Sequence, residues 1–222
     1  MIRGVCFDVG GVLFGSTEPG FCRRVAALTN QSVDELRPLF DRHFLTQDVA
    51  LDAALEAFCA EISTPYVDLR EKLTLHDSDV FFVYDDAMAA LEALSADGIR
   101  IGTASNATPW ERLNLQTTKL GPFINVTVDS YEIGASKPDP IVFETVEHQL
   151  GVAAEELLMV GDSAIDVQGA TDAGWSAAYL RRGTNDYHKV SEATVDAVVD
   201  DLREIPAVVE CLSSASDSHF SS

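Results

Sequence analysis

The sequence predicts an α/β fold: a doubly wound parallel sheet as the core, with a small all-helical domain inserted after the first strand. Three observations lead to this prediction. The chain opens with a short apolar run, Ile2–Phe7. Residues 16–84 then carry apolar residues at helical spacing, without a strong strand signal. From residue 85 onward, short apolar runs alternate with helical segments, as in a parallel sheet with crossover helices.

The first predicted strand is the run I-R-G-V-C-F, which ends at Asp8 and is followed by a glycine-containing turn over residues 9–12. Within the insert, Ser32 and Glu35 form the S-x-x-E pattern of a capping box, which indicates that a helix begins there. The helices predicted for the insert span 18–29, 32–44, 52–62 and 66–75.

The second half of the chain supplies the rest of the predicted sheet. Its predicted strands span 99–104, 124–128, 157–160, 177–180 and 197–199. Its predicted helices span 86–96, 109–120, 140–150, 165–173 and 201–211. We therefore expect a core domain of residues 1–15 and 85–212, a helical cap domain of residues 16–84, and a disordered, serine-rich tail of residues 213–222.

Composition limits the partners of this chain. Its 222 residues carry a formal net charge of -21, and the pI is about 4.3. So acidic a surface repels nucleic acid and anionic membranes. No apolar run is long enough to span a bilayer, and the N-terminus lacks the regions of a signal peptide. We expect a cytoplasmic protein that binds neither nucleic acid nor membrane, and the sequence leaves open whether it is a monomer or a homodimer.

Polar residues follow the predicted strands, at the edge where wound parallel sheets bind ligands. Asp8 follows the first strand, Ser105 and Asn106 the second, and Asp162 the fourth, while Lys137 lies in a loop before a helix. Phosphoryl transfer needs a nucleophile, a cation and hydrogen-bond donors. Asp8 can be the nucleophile, Ser105 can donate its hydroxyl, and Lys137 can supply the local positive charge that a phosphate requires.

The segment V-G-D-S-A-I-D adds metal-binding capacity. Asp162 can bind Mg²⁺ through a carboxylate oxygen, the ligand that this cation prefers. Asp166, four residues later, can orient a metal-bound water. Taken singly, Asp8, Ser105 and Asp162 would each fit a turn or a helix cap, and Lys137 would fit a solvated lysine. Together and in this order, they predict a phosphate site with a divalent cation.

These segments resemble the four motifs of the haloacid dehalogenase-like (HAD) superfamily of hydrolases. F-D-V-G-G-V-L matches the first motif, A-S-N the second, S-K-P-D-P the third and V-G-D-S-A-I-D the fourth. The resemblance extends from Ile2 to about Leu212, and the insert is placed like the helical cap of subclass I members. It implies a Rossmann-like core and a cap that closes over the substrate.

The resemblance also implies a role for each motif residue. Asp8 would be the nucleophile. The phosphate would be bound by Ser105, Asn106 and Lys137. The Mg²⁺ ion would be bound by Asp8, the backbone carbonyl of Gly10, and Asp162. Ser163 and Asp166 would not bind the ion directly but would orient its ligands.

One position departs from the pattern of phosphatases in this superfamily, which carry a second Asp two residues after the nucleophile as general acid and base. Here that position is Gly10, so Mg²⁺ binding by the carbonyl is retained while acid–base help, typically worth 10²–10⁴-fold in rate, is lost. Four residues of the insert or of its junction with the core are candidates to replace the acid, and the sequence does not select among them: Asp85, Asp86, His43 and His76.

The sequence thus predicts a Mg²⁺-dependent phosphatase acting on a small phosphorylated metabolite through an aspartyl-phosphate. One alternative is a metal-independent 2-haloacid dehalogenase, a branch that also lacks the second Asp. That branch typically replaces the Gly-Asp of the fourth motif, whereas Gly161 and Asp162 are both present here. The other alternative is a catalytically weak relative that only binds phosphate ligands.

Overall fold

A computed structural model describes residues 1–17, 19–73, 81–110, 115–182 and 194–218. The strands in chain order are β1 (Gly4–Phe7), β2 (Phe14–Ser16), β3 (Phe81–Val83), β4 (Arg100–Ser105), β5 (Val126–Asp129), β6 (Leu157–Gly161), β7 (Ser176–Leu180) and β8 (Ala197–Val199). The helices are α1 (Phe21–Leu28), α2 (Val33–Phe40), α3 (Leu51–Glu61), α4 (Tyr66–Lys72), α5 (Asp85–Ala96), α6 (Ser130–Ile133), α7 (Pro140–Leu150), α8 (Ala164–Asp172) and α9 (Ile205–Ser218).

Six strands form one parallel sheet in the order β5-β4-β1-β6-β7-β8. The central strand β1 pairs with β4 on one side and β6 on the other, so Phe7 lies beside both Thr103 and Val160. The chain first winds outward through β4 and β5, and then returns through α7 to β6 on the other side of β1. This is the doubly wound, Rossmann-like α/β fold, so the predicted fold class is confirmed. All carboxyl ends share one edge of the sheet.

Helices cover both faces of this sheet. Side chains of a strand alternate between the two faces, and Val5 and Phe7 belong to one apolar cluster while Cys6 belongs to the other. The first cluster includes residues of α5 and α9, and the second includes residues of α7 and α8. Because the central strands are buried on both faces, only their ends are available for chemistry.

The insert between β2 and β3 has an apolar cluster of its own. Its described residues include α1–α4 and a π-helical turn, Asp41–Leu45, that continues α2. Phe44 and Phe58 are fully buried at the centre of this cluster. The predicted capping box is present: the Ser32 hydroxyl accepts from the Glu35 N–H at 3.3 Å, and the Glu35 carboxylate accepts from the Ser32 N–H at 2.8 Å.

The sequence predicted a wholly helical segment 16–84, and the structure corrects this prediction. Phe81–Val83 forms the short strand β3, which pairs antiparallel with β2 where the insert meets the core. Gly15 faces Phe82 across this pair, and a Cβ at Gly15 would lie 2.3 Å from the Phe82 ring. Three-residue strands are too short to show an alternating pattern, so they carry no periodic signal.

Two other predictions need correction. Within the predicted helix 109–120, the described residues contain a single 3₁₀ turn, Leu115–Thr117, and residues 111–114 lie outside the described part. The Thr118 hydroxyl donates to the Leu115 carbonyl at 2.7 Å, a local bond that competes with helix formation.

The tail is also more ordered than predicted. α9 continues through Ser218, beyond the predicted end at 211, because Leu212 packs on the first apolar cluster and the Ser213 hydroxyl accepts from the Ile2 N–H at 3.0 Å. Residues 219–222 are outside the described part. Among the helices described, none combines the length and apolarity that crossing a bilayer requires.

Candidate active site

The carboxyl edge of the sheet brings three of the predicted site residues together. Asp8 directly follows β1, and its backbone N–H donates to the Val160 carbonyl of β6 at 2.9 Å. Ser105 is the last residue of β4, and Asp162 directly follows β6. Since β4 and β6 are the two neighbours of β1, Asp8 lies between Ser105 and Asp162 at the centre of the edge.

Lys137 reaches this edge from the loop between α6 and α7. Its side chain is only 1% exposed. Its Nζ lies 2.6 Å from Asp8 Oδ1, 2.6 Å from Asp166 Oδ1 and 2.7 Å from the Ala104 carbonyl oxygen. The contacts to Asp8 and Ala104 are hydrogen bonds, and the contact to Asp166 is an ion pair. Lys137 is therefore an ion-paired residue of the site rather than a solvated surface lysine.

Asn106 holds the backbone that carries Lys137. Its Oδ1 accepts from the Lys137 N–H at 2.7 Å, and its Nδ2 donates to the Lys137 carbonyl at 3.1 Å. Both polar atoms of the amide are thus bonded to Lys137. This geometry indicates a positioning role for the Asn106 side chain, in addition to the phosphate contact that the sequence suggested.

Asp166 is held from two sides. Its carboxylate pairs with Lys137 and accepts a hydrogen bond from the Ser163 hydroxyl. The lack of a side chain at Gly161 leaves space for Asp166, since a Cβ at Gly161 would lie 2.3 Å from the Asp166 Cβ. The sequence suggested that Asp166 orients a metal-bound water. The structure adds a direct ion pair with Lys137, which helix spacing alone could not indicate.

Three carboxylates share this buried space with one ammonium group. Oxygen atoms of Asp8, Asp162 and Asp166 lie within 4.8 Å of one another. Burial raises the pKa of Asp8 to about 7; the Lys137 charge opposes this shift, and Asp166 and Asp162 add to it. Burial works to lower the pKa of Lys137, but attraction to Asp166 and Asp8 outweighs it and the pKa rises. The cluster therefore gathers three acidic groups, two of which pair with Lys137.

The excess of acidic groups fits a divalent cation. Mg²⁺ prefers carboxylate and carbonyl oxygens, and Asp8 and Asp162 offer the first kind. Among the described residues, no backbone N–H donates to the Gly10 carbonyl, so it can offer the second kind. A bound cation would also favour the ionised form of Asp8. The residues present thus fit Mg²⁺.

The space beside Gly10 contains no side chain of the described residues other than its chain neighbours. A Cβ added at Gly10 would meet no atom within 4 Å. A cavity of about 460 Å³ opens there, and its walls include Gly10 and Ser105, together with Phe14 and Phe81 from β2 and β3. Because Gly10 follows Asp8 closely in sequence and Ser105 ends the neighbouring strand, this cavity adjoins the nucleophile and can take the group attached to a phosphate.

The candidates to replace the missing acid lie elsewhere. His43 is hydrogen-bonded to Glu61 within the insert at 2.7 Å. Asp86 is buried and paired with Arg182 at 2.8 Å. Asp85 is exposed on the first turn of α5. None of these three lines the cavity.

The fourth candidate, His76, lies outside the described residues. The structure therefore selects no replacement for the acid among the candidates that it describes.

Sequence reasoning missed two acidic residues in the wall of the cavity, Asp129 and Glu132. Asp129 is the last residue of β5 and the register partner of Ser105. Burial raises the pKa of Asp129 to about 6, and the charge of Glu132 contributes to the shift. A signal was present: the segment D-S-Y-E follows the third core strand directly, just as the other site residues follow theirs.

Several known phosphatases are similar to this chain in sequence. A phosphatase of Mycobacterium tuberculosis is 33% identical over 129 residues, which cover 57% of this chain and 56% of that protein. A phosphoglycolate phosphatase of Salmonella choleraesuis is 26% identical, with 92% of this chain and 91% of that protein covered. A phosphoserine phosphatase of Thermus thermophilus is 35% identical over 125 residues, or 55% of this chain and 49% of that protein.

Solved structures show the same fold. The crystal structure of a HAD phosphatase from Thermococcus onnurineus superposes with a TM-score of 0.66 at 23% identity, covering 94% of this chain and 98% of that one. A 2-haloacid dehalogenase from Pseudomonas syringae gives a TM-score of 0.64 at 18% identity, covering 95% and 99%. The model of the haloacid dehalogenase-like hydrolase family matches residues 2–174, and with its motifs gathered at one sheet edge this chain belongs to that family of hydrolases.

Proposed function

We propose that this protein is a Mg²⁺-dependent phosphatase that acts on a small phosphorylated metabolite through an aspartyl-phosphate on Asp8. The observation that supports the proposal best is the buried group of three carboxylates, two of which pair with Lys137. Such a group is costly without a cation, and it presents an ionised nucleophile beside positive charge once a cation is bound. Asp8, the Gly10 carbonyl and Asp162 would hold Mg²⁺, which would neutralise charge on the transferring phosphoryl group.

In the first step, a carboxylate oxygen of Asp8 attacks phosphorus and the bond to the ester oxygen breaks. The Lys137 ammonium, already bonded to Asp8 Oδ1, stabilises negative charge on the phosphoryl oxygens. Ser105 donates its hydroxyl to the same group. In the second step, water attacks phosphorus, inorganic phosphate leaves, and the Asp8 carboxylate is restored.

Gly10 limits the first step. Without an acid there, the leaving oxygen must take its proton from water, so esters with good leaving groups should react fastest. We expect acyl and aryl phosphates to be hydrolysed faster than alkyl phosphates.

The names of the curated relatives support phosphate chemistry. Phosphatases are among them at 26–35% identity, and one alignment spans 92% of this chain. Dehalogenases occur among the structural neighbours at under 25% identity, which is a likeness of fold alone. The third carboxylate, Asp162, argues against a 2-haloacid, because without a cation the site would repel the carboxylate of that substrate.

The proposal is tested by phosphate release from 4-nitrophenyl phosphate, acetyl phosphate and a panel of alkyl monophosphates, first with Mg²⁺ and then with EDTA. We expect turnover with Mg²⁺ and loss of turnover with EDTA. The Asp8→Asn variant should reduce turnover to background. Asp97→Asn, which removes an exposed carboxylate at the end of α5, is the matched control and should retain full activity.

Two results would overturn the proposal: turnover that EDTA leaves unchanged, or Asp8→Asn with most of its activity. Halide release from 2-haloacids without metal would favour the dehalogenase instead. Calorimetric binding of phosphate without turnover of any ester would favour a binding protein.

A further inference from the structure

The position of Asp129 relative to the nucleophile is set by the sheet. Asp129 is the register partner of Ser105, and β4 separates β5 from β1. Neighbouring strands lie about 4.8 Å apart, so the backbones at Asp129 and Asp8 are separated by roughly 10 Å. At this separation, Asp129 suits a group carried several bonds beyond the ester oxygen.

Asp129 and Glu132 lack a positive partner in the described part of the chain. No lysine, arginine or histidine described by the structure forms an ion pair with either carboxylate. Within the described ranges, Glu132 accepts a neutral hydrogen bond, from the Tyr131 hydroxyl at 3.1 Å. Burial, and to a smaller extent the charge of the neighbouring Glu132, disfavour the ionised form of Asp129 and raise its pKa. A cation bound between the two carboxylates would relieve this cost.

The remaining walls of the cavity also suit a cation. Phe14, Phe81 and Tyr131 line it, and aromatic faces attract an ammonium group. None of the described residues that line the cavity is basic. Among the described residues of its wall, a carboxylate on the leaving group would meet two like charges and no counter-charge.

We propose that the substrate is a phosphate ester whose leaving group carries an ammonium group, which the Asp129 and Glu132 carboxylates bind across the cavity from Asp8. This inference rests on the proposed phosphatase function and specifies its substrate class. The phosphate is bound at the edge between Ser105 and Lys137, and the amine lies toward β5. The reaction is the same hydrolysis, which releases an amino alcohol and inorganic phosphate.

The test compares three esters that differ in one terminal group: 2-aminoethyl phosphate, 2-hydroxyethyl phosphate and phosphoglycolate. We expect kcat/KM for the amine to exceed that for the neutral ester by about tenfold, which corresponds to about 1.4 kcal/mol. Phosphoglycolate should be the poorest of the three. If these alkyl esters turn over too slowly, their inhibition constants against hydrolysis of 4-nitrophenyl phosphate give the same ranking.

Variants then locate the preference. Asp129→Asn and Glu132→Gln keep the shape of each side chain and remove its charge, and together they should bring the ratio of amine to neutral ester close to one. Asp172→Asn, an exposed position on α8, removes the same charge elsewhere and should leave the ratio unchanged.

The outcomes separate this inference from the function on which it rests. No turnover of 4-nitrophenyl phosphate or acetyl phosphate overturns both. Turnover of these compounds with no preference for the amine, or with phosphoglycolate preferred, overturns only the assignment of the substrate class. A preference for the amine that survives in the Asp129→Asn, Glu132→Gln double variant would show that other residues bind the ammonium group.

Discussion

Replacing Lys137 by Met would test the electrostatics of the site directly. The substitution keeps an unbranched side chain of similar length but removes the ammonium group. Asp8 and Asp166 then lose their shared partner, and the Ala104 carbonyl loses a donor at 2.7 Å. Asp8 is 13% exposed and Asp166 only 1%, so water cannot replace the lost contacts fully.

The expected loss of stability is large. Removing one partner of a buried ion pair costs about 3–5 kcal/mol. Domains of this kind have a free energy of unfolding of about 5–15 kcal/mol, so the variant should unfold at a clearly lower urea concentration. We expect a loss of at least about 3 kcal/mol at pH 8 in EDTA.

The effect should depend on pH with a definite sign. Asp8 has a pKa of about 7 in the folded protein against a reference value of 3.8. Between these values the folded state binds more protons than the unfolded state, so stability falls as pH rises. Lys137 lowers the pKa of Asp8, and removing it extends this window above pH 7. On going from pH 8 to pH 6, the free energy of unfolding of the variant should therefore rise. The rise is up to about 1.4 kcal/mol per pH unit for each extra proton that the folded state binds.

Urea unfolding followed by circular dichroism at pH 6, 7 and 8 measures these quantities. Lys119→Met is the matched control, because Lys119 is exposed and the substitution removes the same charge. A destabilisation below about 1 kcal/mol would refute the claim that water cannot replace the contacts between Lys137 and its buried carboxylate partners. So would equal destabilisation at all three pH values.

Three further substitutions test single contacts. Gly10→Asp should raise kcat for alkyl phosphates by about 10²–10⁴-fold in a steady-state assay, because an acid fits the open space there; an unchanged kcat would mean that the missing acid is not limiting. Asn106→Ala removes both bonds to the Lys137 backbone and should cost about 1–3 kcal/mol in urea unfolding, whereas a neutral result would contradict its positioning role. Gly161→Ala forces a Cβ against Asp166 and should cost about 1–3 kcal/mol in the same assay; wild-type stability would show that Asp166 moves freely.

Local signals explain which parts of the fold the sequence could predict. Helix α7 begins and ends where predicted, because the Asp139 side chain accepts from the Ile141 N–H at its start, and Gly151 adopts a φ of 63° just after its end. Strand β3 was missed because it has no local signal and depends on pairing with β2. The end of α9 was also missed, since it is stabilised by a contact between Ser213 and Ile2 at the opposite end of the chain.

The site likewise has features that follow from local sequence and features that depend on residues distant in the chain. The motifs predicted Asp8, Lys137 and Asp162 because each follows a strand or precedes a helix, and the rule for strand ends needs no coordinates. Strand order cannot be derived from periodicity, and strand order determines that Asp129 faces the cavity beside Ser105. The contact between Lys137 and Asp166 likewise depends on how α8 packs against β6. The spacing of residues in the sequence does not predict this packing.

The antiparallel pair of β2 and β3 has a consequence for how this architecture can diversify. The chain enters and leaves the helical insert at Ser16 and Phe81, which are register partners. Such partners lie about 4.5–5.5 Å apart, a gap that a two-residue hairpin loop can close. The six-stranded sheet uses no residue from between them. The insert is therefore joined to the core through one covalent junction, so a change in its length need not shift any strand of the six-stranded sheet. It also contacts the core beyond that junction, where the Trp110 indole N–H donates to the Val49 carbonyl at 3.1 Å.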